Sequence, residues 1–252
     1  MKILVNALVG ATVAVLSFSA CSSSKQSTSA TKQDKVLIFS KTRGYRHKSI
    51  EPGIAAIQKL GAENNFQVYA TEDSSKFVYD TLKQYKAVIF LNPTGKGLFN
   101  ADQQKGFQEY IHKGGGYVGI HAATDCLYDW EWYGKLAGAY FLKHPAIQKA
   151  KLFLTDSSHI STKHLQSPWW HTDEWYNFKS FNKDVTVLIK VDETSYNGGS
   201  MNNDHPISWY HNFEGGRAFY TALGHTEEDF NSDTLYLQHL LGGIKYAMGR
   251  KK

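Results

Sequence analysis

Cysteine, proline and methionine are scarce in this chain of 252 residues, which has 2 Cys, 5 Pro and 3 Met. The two cysteines, Cys21 and Cys126, allow one disulfide at most, so the sequence excludes a small scaffold that disulfides hold together. A chain of this length with 42% hydrophobic residues can bury a substantial core without cross-links. The composition therefore predicts one large globular domain.

Several signatures of ligand binding are also missing. The formal net charge is only +5 and no dense run of Lys or Arg occurs, so no nucleic-acid partner is expected. No glycine-rich fingerprint follows a predicted strand and opens a helix, so no nucleotide cofactor is expected either. The His-Glu-x-x-His motif is absent, and a divalent metal would need ligands from distant loops.

The N-terminal residues predict an export signal. A basic start at residues 1–2 is followed by an apolar stretch at residues 3–18 and by small residues before Cys21. This segment resembles a bacterial lipoprotein signal, in which Cys21 becomes the lipidated first residue. An uncleaved membrane anchor is the alternative, but the apolar stretch is short for a spanning helix.

These observations divide the chain into a signal peptide at residues 1–20, a flexible tether at 21–34 and one domain at 35–252. The tether is rich in Ser, Thr, Lys and Gln and cannot bury a core. The expected location is the cell envelope, with the domain anchored to the membrane through the lipid on Cys21. The domain would face the periplasm or lie on the outer membrane.

Short apolar runs alternate with helical patterns in the first half of the domain. The runs at residues 35–40, 87–91 and 117–120 predict strands buried on both faces, as in a parallel sheet. In the second half, the segments 207–211 and 217–223 flank Asn-Phe-Glu-Gly-Gly, which predicts a β-hairpin. The sequence thus predicts an α/β fold of the flavodoxin-like, doubly wound kind, with a mostly parallel sheet and a β-hairpin addition in the C-terminal half.

One stretch at the end of a predicted buried strand is typical of a sharp strand-to-helix turn. Small residues at Gly119, Ala122 and Ala123 surround His121. Such neighbours let the backbone turn tightly and present one side chain above the sheet, as in a nucleophile elbow. The tip of an elbow is commonly Ser or Cys, whereas here it is His121. A glycine-rich helix stop before an ordinary core strand is the alternative.

Histidines and carboxylates recur where strands are predicted to end. His121 and His225 both follow predicted strands, and the carboxyl ends of parallel strands meet at one edge of a sheet, so both are expected at a shared site. Asp125 and Glu174 are the carboxylates expected beside them. Two chemistries fit: proton transfer by the imidazoles, or a divalent metal held by His121, His225 and Glu174.

An aromatic run lies close to Glu174 and contains Trp169, Trp170, Trp175 and Tyr176. These side chains are compatible with a stacked core. They are equally compatible with a platform for a sugar ring, which has apolar faces and a rim of hydroxyl groups. The residues alone leave both interpretations open.

Six motifs occur in order within residues 35–249: GYRHKSI at 44–50, GGGYVGIHAATD at 114–125, GAYFLKHP at 138–145, DEWY at 173–176, DHPISW at 204–209 and GHT at 224–226. Together they resemble the ThuA-like family of trehalose-utilisation proteins. The resemblance implies the fold of class I glutamine amidotransferases, in which the elbow carries Cys and a late strand ends in a catalytic His. Here His121 replaces that Cys, and an imidazole cannot form a glutamyl thioester, so glutamine hydrolysis is not expected.

The resemblance further implies a small carbohydrate substrate, namely a disaccharide or glycoside or its keto derivative. A keto group acidifies the neighbouring C–H, so His121 is expected as base or metal ligand and His225 as its partner. Asp125 and Glu174 would be orienting or ligand carboxylates. A second set of expected substrate-binding residues consists of His47, Arg46, His144, Trp209 and His205.

Two other functions stay open at this point. A non-catalytic module could capture a glycan at the cell envelope with the same aromatic and polar groups. A conventional glycosidase would need two carboxylates at a defined separation, which a sequence does not measure. Replacing His121 with Ala separates the enzyme from the binding module, because only an enzyme has turnover to lose.

Overall fold

The computed structural model describes residues 33–250, together with residues 1, 4, 7 and 10. Apart from those four residues, the predicted signal peptide lies outside the described residues. The same holds for Cys21 and for the predicted tether up to residue 32. None of the described helices has the length and apolar character that crossing a bilayer requires. Residues 33–250 belong to one compact unit.

The described chain contains strands and helices that alternate in its first half. The strands are β1 (Asp34–Phe39), β2 (Phe66–Thr71), β3 (Ala87–Leu91), β4 (Gly116–Ile120), β5 (Tyr140–Lys143), β6 (Gln148–Leu154), β7 (Trp169–Asp173), β8 (Asn177–Lys179), β9 (Thr186–Val191), β10 (Pro206–Phe213) and β11 (Gly216–Thr221). The α-helices are α1 (Ile50–Glu63), α2 (Tyr79–Leu82), α3 (Ala101–His112), α4 (Glu131–Ala137), α5 (Glu227–Asn231) and α6 (Thr234–Ala247).

Nine of these strands form one mixed sheet in the order β2-β1-β3-β4-β11-β10-β9-β6-β7. The pairs from β2 to β11 are parallel, and the pairs from β11 to β7 are antiparallel. The hairpin of β10 and β11 joins the two halves. The predicted α/β fold with a parallel core and an antiparallel C-terminal extension is therefore confirmed. Strands β5 and β8 pair separately as a two-stranded sheet.

The central strands are fully buried because helices cover both faces of the parallel half. Every residue of β3 and β4 is buried. Neighbouring residues of a strand point to opposite faces, and the environments of Gly116 and Tyr117 differ accordingly. A Cβ at Gly116 would lie 2.2 Å from the carbonyl oxygen of Ala247 at the end of α6. The Tyr117 hydroxyl lies 3.0 Å from that of Tyr133 in α4. Continuous apolar runs in the sequence reflect this double cover.

The predicted elbow is present at the end of β4. His121 has φ of +44°, in the left-handed region, and opens a short 3-10 turn over His121–Thr124. A Cβ at Gly119 would lie 2.9 Å from the Tyr220 ring and 3.2 Å from the Cβ of Ala123. The chain can turn this sharply because its neighbours at the turn are small.

Candidate functional site

The sheet topology brings loops from both halves to one edge. Strands β1, β3, β4 and β11 run parallel, so the residues that follow them meet at their carboxyl ends. Counting antiparallel pairs outward from β11 shows that β7 runs in the same direction as β11. Glu174, which follows β7, therefore lies at the same edge as His121 and His225. Sequence reasoning expected these residues together, and the topology supplies the reason.

The backbone around His121 is held by buried hydrogen bonds. Tyr220 donates its hydroxyl to the His121 carbonyl at 2.8 Å, and Ala122 donates its N–H to the Asn92 side chain at 3.1 Å. The His121 ring nitrogen Nδ1 lies 2.7 Å from the Ala222 carbonyl. Because a carbonyl only accepts, Nδ1 carries the proton, and the lone pair of Nε2 points away from this bond.

The backbone groups of Gly224 connect four separate segments and thereby position the following residue, His225. Its carbonyl accepts hydrogen bonds from Ser49 at 3.1 Å and from Asn92 at 3.1 Å. Its N–H donates to Asp173 at 2.9 Å. Ser49 stands at the N-terminal end of α1, yet its hydroxyl makes this long-range bond and does not cap the helix. The loops after β1, β3, β7 and β11 are thus tied together at one point.

Four side chains converge here, and we call them the histidine–glutamate cluster: His47, His121, Glu174 and His225. One potential ligand atom from each lies within 4.8 Å of those of the other three. Nε2 of His121 is 3.1 Å from Nδ1 of His225, and Oε2 of Glu174 lies 3.4 and 3.2 Å from these two nitrogens. The rings of His47, His121 and His225 form a triangle with centroids 5.0 to 5.1 Å apart. No single sequence motif predicts this cluster, because its members come from four distant loops.

Burial and mutual charge shift the pKa values within the cluster. Burial, together with positive charge on His121 and His225, lowers the pKa of His47 to about 2. Burial also acts on Glu174, but the contacts with His121 and His225 outweigh it and hold the carboxyl pKa well below its usual value. Burial opposes protonation of His225, whereas Glu174 favours it, and the net pKa of His225 is raised. Glu174 is therefore a carboxylate at neutral pH and His47 a neutral imidazole.

A hollow of about 320 Å³ opens above the cluster. Its polar lining includes Asp125 and His144 besides three members of the cluster, and its apolar lining consists of Tyr45, Phe141 and Tyr176. This volume lies at the lower end of the range for small-molecule sites, about 300–1,000 Å³. Two larger hollows, of 530 and 410 Å³, lie elsewhere on the surface, and neither is lined by a histidine. We therefore take the smaller hollow as the candidate site.

Two further proton carriers face this hollow. Nδ1 of His144 lies 3.0 Å from Oε1 of Glu174, on the side away from His121. Burial raises the pKa of Asp125. The Tyr128 hydroxyl donates a hydrogen bond to this carboxylate, and the bond acts on the pKa in the opposite direction. A raised pKa makes the Asp125 carboxylate a stronger base than an ordinary aspartate, which suits it to proton transfer.

Three of the expected substrate-binding residues do not line the hollow. Trp209 is buried in the core and donates its indole N–H to the Ala137 carbonyl at 2.9 Å. His205 is fully buried, where its ring nitrogens contact Tyr196, Glu193 and the Tyr176 carbonyl. Arg46 points to solvent and pairs with Glu51 and Glu72. Each of these side chains already has partners that explain its position. Membership of a sequence motif was therefore not enough to predict which residues line the hollow.

The aromatic run divides between core and site. Trp175 is buried and donates its indole N–H to the Gln148 carbonyl, and Trp170 is half-exposed outside the hollow. Tyr176 alone reaches the hollow, where its ring lies 4.1 Å from that of His121. Sequence reasoning missed Tyr45 and Phe141 as lining residues. The signal for both was a nearby histidine, since His47 follows Tyr45 by two residues and His144 directly follows β5, which contains Phe141.

A second buried cluster lies directly behind the first. Nε2 of His171 is 3.0 Å from Asp229 and 3.5 Å from Asp173, and its Nδ1 is 3.2 Å from Asp233. Burial opposes the imidazolium, but the three carboxylates outweigh burial and raise the pKa of His171 well above its ordinary value. Asp173 accepts hydrogen bonds from Glu174 N and from Gly224 N. The second cluster thereby positions two segments of the histidine–glutamate cluster.

The fold and the site together define a class of protein: an α/β chain with a mixed nine-stranded sheet whose elbow carries an imidazole. The family model described as "ThuA: Trehalose utilisation" matches residues 35–247. This match covers most of the chain, and the chain belongs to the ThuA family. Comparison with curated proteins gave no significant match.

Solved structures share this fold. A ThuA-like protein from Bacteroides uniformis is 27% identical, with a TM-score of 0.72 over 86% of this chain and 93% of its own. A ThuA-like protein from Parabacteroides merdae is 19% identical, with a TM-score of 0.69 over 86% and 91%. A PurLQS structure from Thermotoga maritima is 11% identical, with a TM-score of 0.54 over 85% and 98%. The last two similarities concern the fold alone.

Proposed function

We propose that this chain is an enzyme that acts on a glycoside, or on its keto derivative, by moving protons within the hollow above the histidine–glutamate cluster. The observation that carries the proposal is the meeting of proton carriers and buried imidazoles under an aromatic-lined hollow. The family's description, trehalose utilisation, supports a carbohydrate as the substrate class. Tyr45, Phe141 and Tyr176 offer apolar surfaces that suit the faces of a sugar ring.

The division of labour follows from access. His121 has no exposed surface, and its Nδ1 bonds to a backbone carbonyl. It therefore lies beneath the hollow and would not contact the substrate directly. Asp125 and His144 line the hollow and are the groups we assign to remove and return a proton at the carbon beside a keto group. His225 also lines the hollow, and Glu174 raises its pKa, so its imidazolium form would stabilise the negative charge that then develops on oxygen. Glu174 is held as a carboxylate, which disfavours a role as the acid of a conventional glycosidase.

Glutamine hydrolysis is disfavoured by the same structure. The elbow presents an imidazole, and Cys126 is buried with its thiol near the Ala123 carbonyl and the Tyr133 hydroxyl. Burial raises the pKa of Cys126 far above its ordinary value. A thiol in this state supplies no nucleophilic thiolate.

Deuterium exchange tests the proposal. The wild-type protein is incubated in D2O with trehalose and with its 3-keto form, and NMR follows the proton next to the keto group. We expect exchange or turnover with the keto sugar, and a loss of roughly 10²–10⁴-fold in Asp125→Asn, because the proton carrier is gone. His164→Asn, which changes a histidine outside the hollow, should match the wild type.

The alternative function has a distinct outcome in this assay. Saturable sugar binding by the wild type with neither exchange nor product would identify a non-catalytic glycan-binding module. Equal exchange rates in Asp125→Asn and wild type would remove Asp125 from the mechanism.

The proposed location is the cell envelope, with a membrane contact made through a lipid on Cys21. Its support is the order of basic, apolar and small residues at positions 1–21. In a bacterial host, Cys21→Ser should abolish labelling by radioactive palmitate and release the protein from the membrane fraction. Unchanged labelling would rule out Cys21 as the modified residue.

A further inference from the structure

Three electron-rich atoms of the histidine–glutamate cluster converge on one point: Nε2 of His121, Nδ1 of His225 and Oε2 of Glu174. Nδ1 of His121 carries the proton that binds the Ala222 carbonyl, so in the neutral ring its Nε2 presents a lone pair. Oε2 of Glu174 faces this lone pair at 3.4 Å. Two electron-rich atoms at this distance repel each other unless a positive centre lies between them. A proton on Nε2 of His121 or on Nδ1 of His225 would supply such a centre, and so would a bound cation.

To this group of atoms His47 adds a buried ring nitrogen that has no partner in the described part of the chain. Its side chain is 3% exposed, and its ring nitrogen Nδ1 has no hydrogen-bond partner among the described residues. An unpartnered buried polar atom is costly, on the order of 1–3 kcal/mol. The imidazole nevertheless lies edge-on to the rings of both His121 and His225. Such an arrangement is expected where a ligand normally completes the site.

The separations of the donor atoms match those around a bound metal ion. The three distances among His121 Nε2, His225 Nδ1 and Glu174 Oε2 are 3.1, 3.2 and 3.4 Å. Tetrahedral ligands about 2.0–2.1 Å from Zn²⁺ lie roughly 3.4 Å from one another. The bond from His121 Nδ1 to a backbone carbonyl is also the outer contact that orients a metal-binding histidine.

We propose that the histidine–glutamate cluster binds one divalent transition-metal ion, with ligands from His47, His121, Glu174 and His225. Three imidazole nitrogens and one carboxylate favour ions such as Zn²⁺, Co²⁺, Fe²⁺ or Mn²⁺ over Mg²⁺ and Ca²⁺, which prefer oxygen ligands. The site opens to the hollow, so an ion there could also accept a substrate oxygen. Metal binding goes beyond the proposed function and does not require it.

A titration of the full chain without sugar tests the proposal. Protein freed of metal by chelation is titrated with Co²⁺, Zn²⁺ and Mg²⁺, while calorimetry measures stoichiometry and visible absorption detects the Co²⁺ site. We expect one Co²⁺ or Zn²⁺ per chain, Co²⁺ absorption bands typical of a nitrogen-rich site, and no competition by Mg²⁺. The melting temperature should rise with metal concentration, because the ligand set exists only in the folded chain.

Two variants connect the bound ion to these residues. Glu174→Gln keeps the size of the side chain and removes its charge, and His225→Ala removes a ligand near the surface. Each should weaken Co²⁺ binding by roughly 100-fold or more. His164→Ala lowers the number of histidines equally but should bind like the wild type. Circular dichroism of the metal-free variants checks that they are folded.

Either of two results would overturn the proposal. One is wild-type protein that binds no transition ion at concentrations well above its own. The other is folded Glu174→Gln and His225→Ala protein that both bind Co²⁺ as tightly as the wild type, since the ion would then lie elsewhere. Because no sugar is present, neither result bears on proton transfer, which the deuterium-exchange assay judges separately.

Discussion

Asn92 is a single side chain that connects three loops above the sheet. Its Nδ2 donates to Ser49 and to the Gly224 carbonyl, and its Oδ1 accepts from Ala122. The residue is fully buried and has φ of +50°, which asparagine tolerates better than most residues. Removing its two donated bonds would disconnect the loops that carry the site.

We predict that Asn92→Asp lowers the free energy of unfolding by at least ~2 kcal/mol. The carboxylate has the same shape but cannot donate, so it would face the Gly224 carbonyl with no hydrogen between them. Urea denaturation measures the effect. Asn100→Asp is the matched control, because Asn100 caps α3 through its oxygen and Asp caps equally well. A loss of similar size in both variants would contradict the special role of Asn92.

Residues differ in how far the sequence reveals their roles. His121 and His225 could be predicted because each follows an apolar run, and the edge of a parallel sheet brings such positions together. Trp209 and His205 could not be separated from the site by sequence, because residues of a motif can equally make hydrogen bonds in the core. Asn92 lies in a loop that carries none of the six motifs. Its importance depends on partners in three distant loops.

At the scale of elements, the second cluster joins the end of β7 to α5 and α6. His171 lies in β7, Asp229 in α5, and Asp233 immediately before α6. The imidazolium offsets the repulsion among carboxylates that would otherwise face one another in a buried space. The three elements therefore depend on one proton for their packing.

We predict that His171→Gln costs about 3 kcal/mol of stability at pH 6. The folded-state pKa of His171 is raised above its unfolded value of about 6.5. The stability contributed by its proton is thus fully present below pH 6.5 and is lost as the pH rises through the higher folded value. Denaturation of wild type and variant across this range should show a difference that shrinks at alkaline pH. A difference that grows with pH would contradict the assignment.

At the scale of the whole molecule, Arg250 joins the end of the described chain to its beginning. Its guanidinium donates to the carboxylate of Asp34 at the start of β1 and to the carbonyls of Asn64 and Asn65 after α1. Both charged side chains are about three-quarters buried. A forked guanidinium matches this set of acceptors, which a lysine ammonium cannot reproduce.

We predict that Arg250→Ala lowers stability by about 1 kcal/mol and that Arg250→Lys restores only part of the loss. Chemical denaturation at low and high salt measures both effects. Lys135→Ala removes a solvent-exposed pair with Glu131 and should change stability too little to detect. Complete rescue by lysine would show that charge alone accounts for the contact.

The fold was predictable in its parallel half and less so beyond it. The apolar runs that became β1, β3 and β4 are buried on both faces, and this leaves a clear pattern in the sequence. The antiparallel half has mixed burial, as in β6 and β7, and its pairing depends on contacts between distant segments. The order β10-β9-β6-β7 departs from the order along the chain, and no local pattern encodes it.

The contact between Arg250 and Asp34 also fixes where the two ends of the domain emerge. Strand β1 begins beside Arg250 and ends in the loop that carries His47, so these ends and the hollow lie at opposite edges of the sheet. A strand of six residues is roughly 20 Å long. An affinity label, a fluorescent fusion or a solid support attached at either end would therefore leave the entrance for a sugar unobstructed.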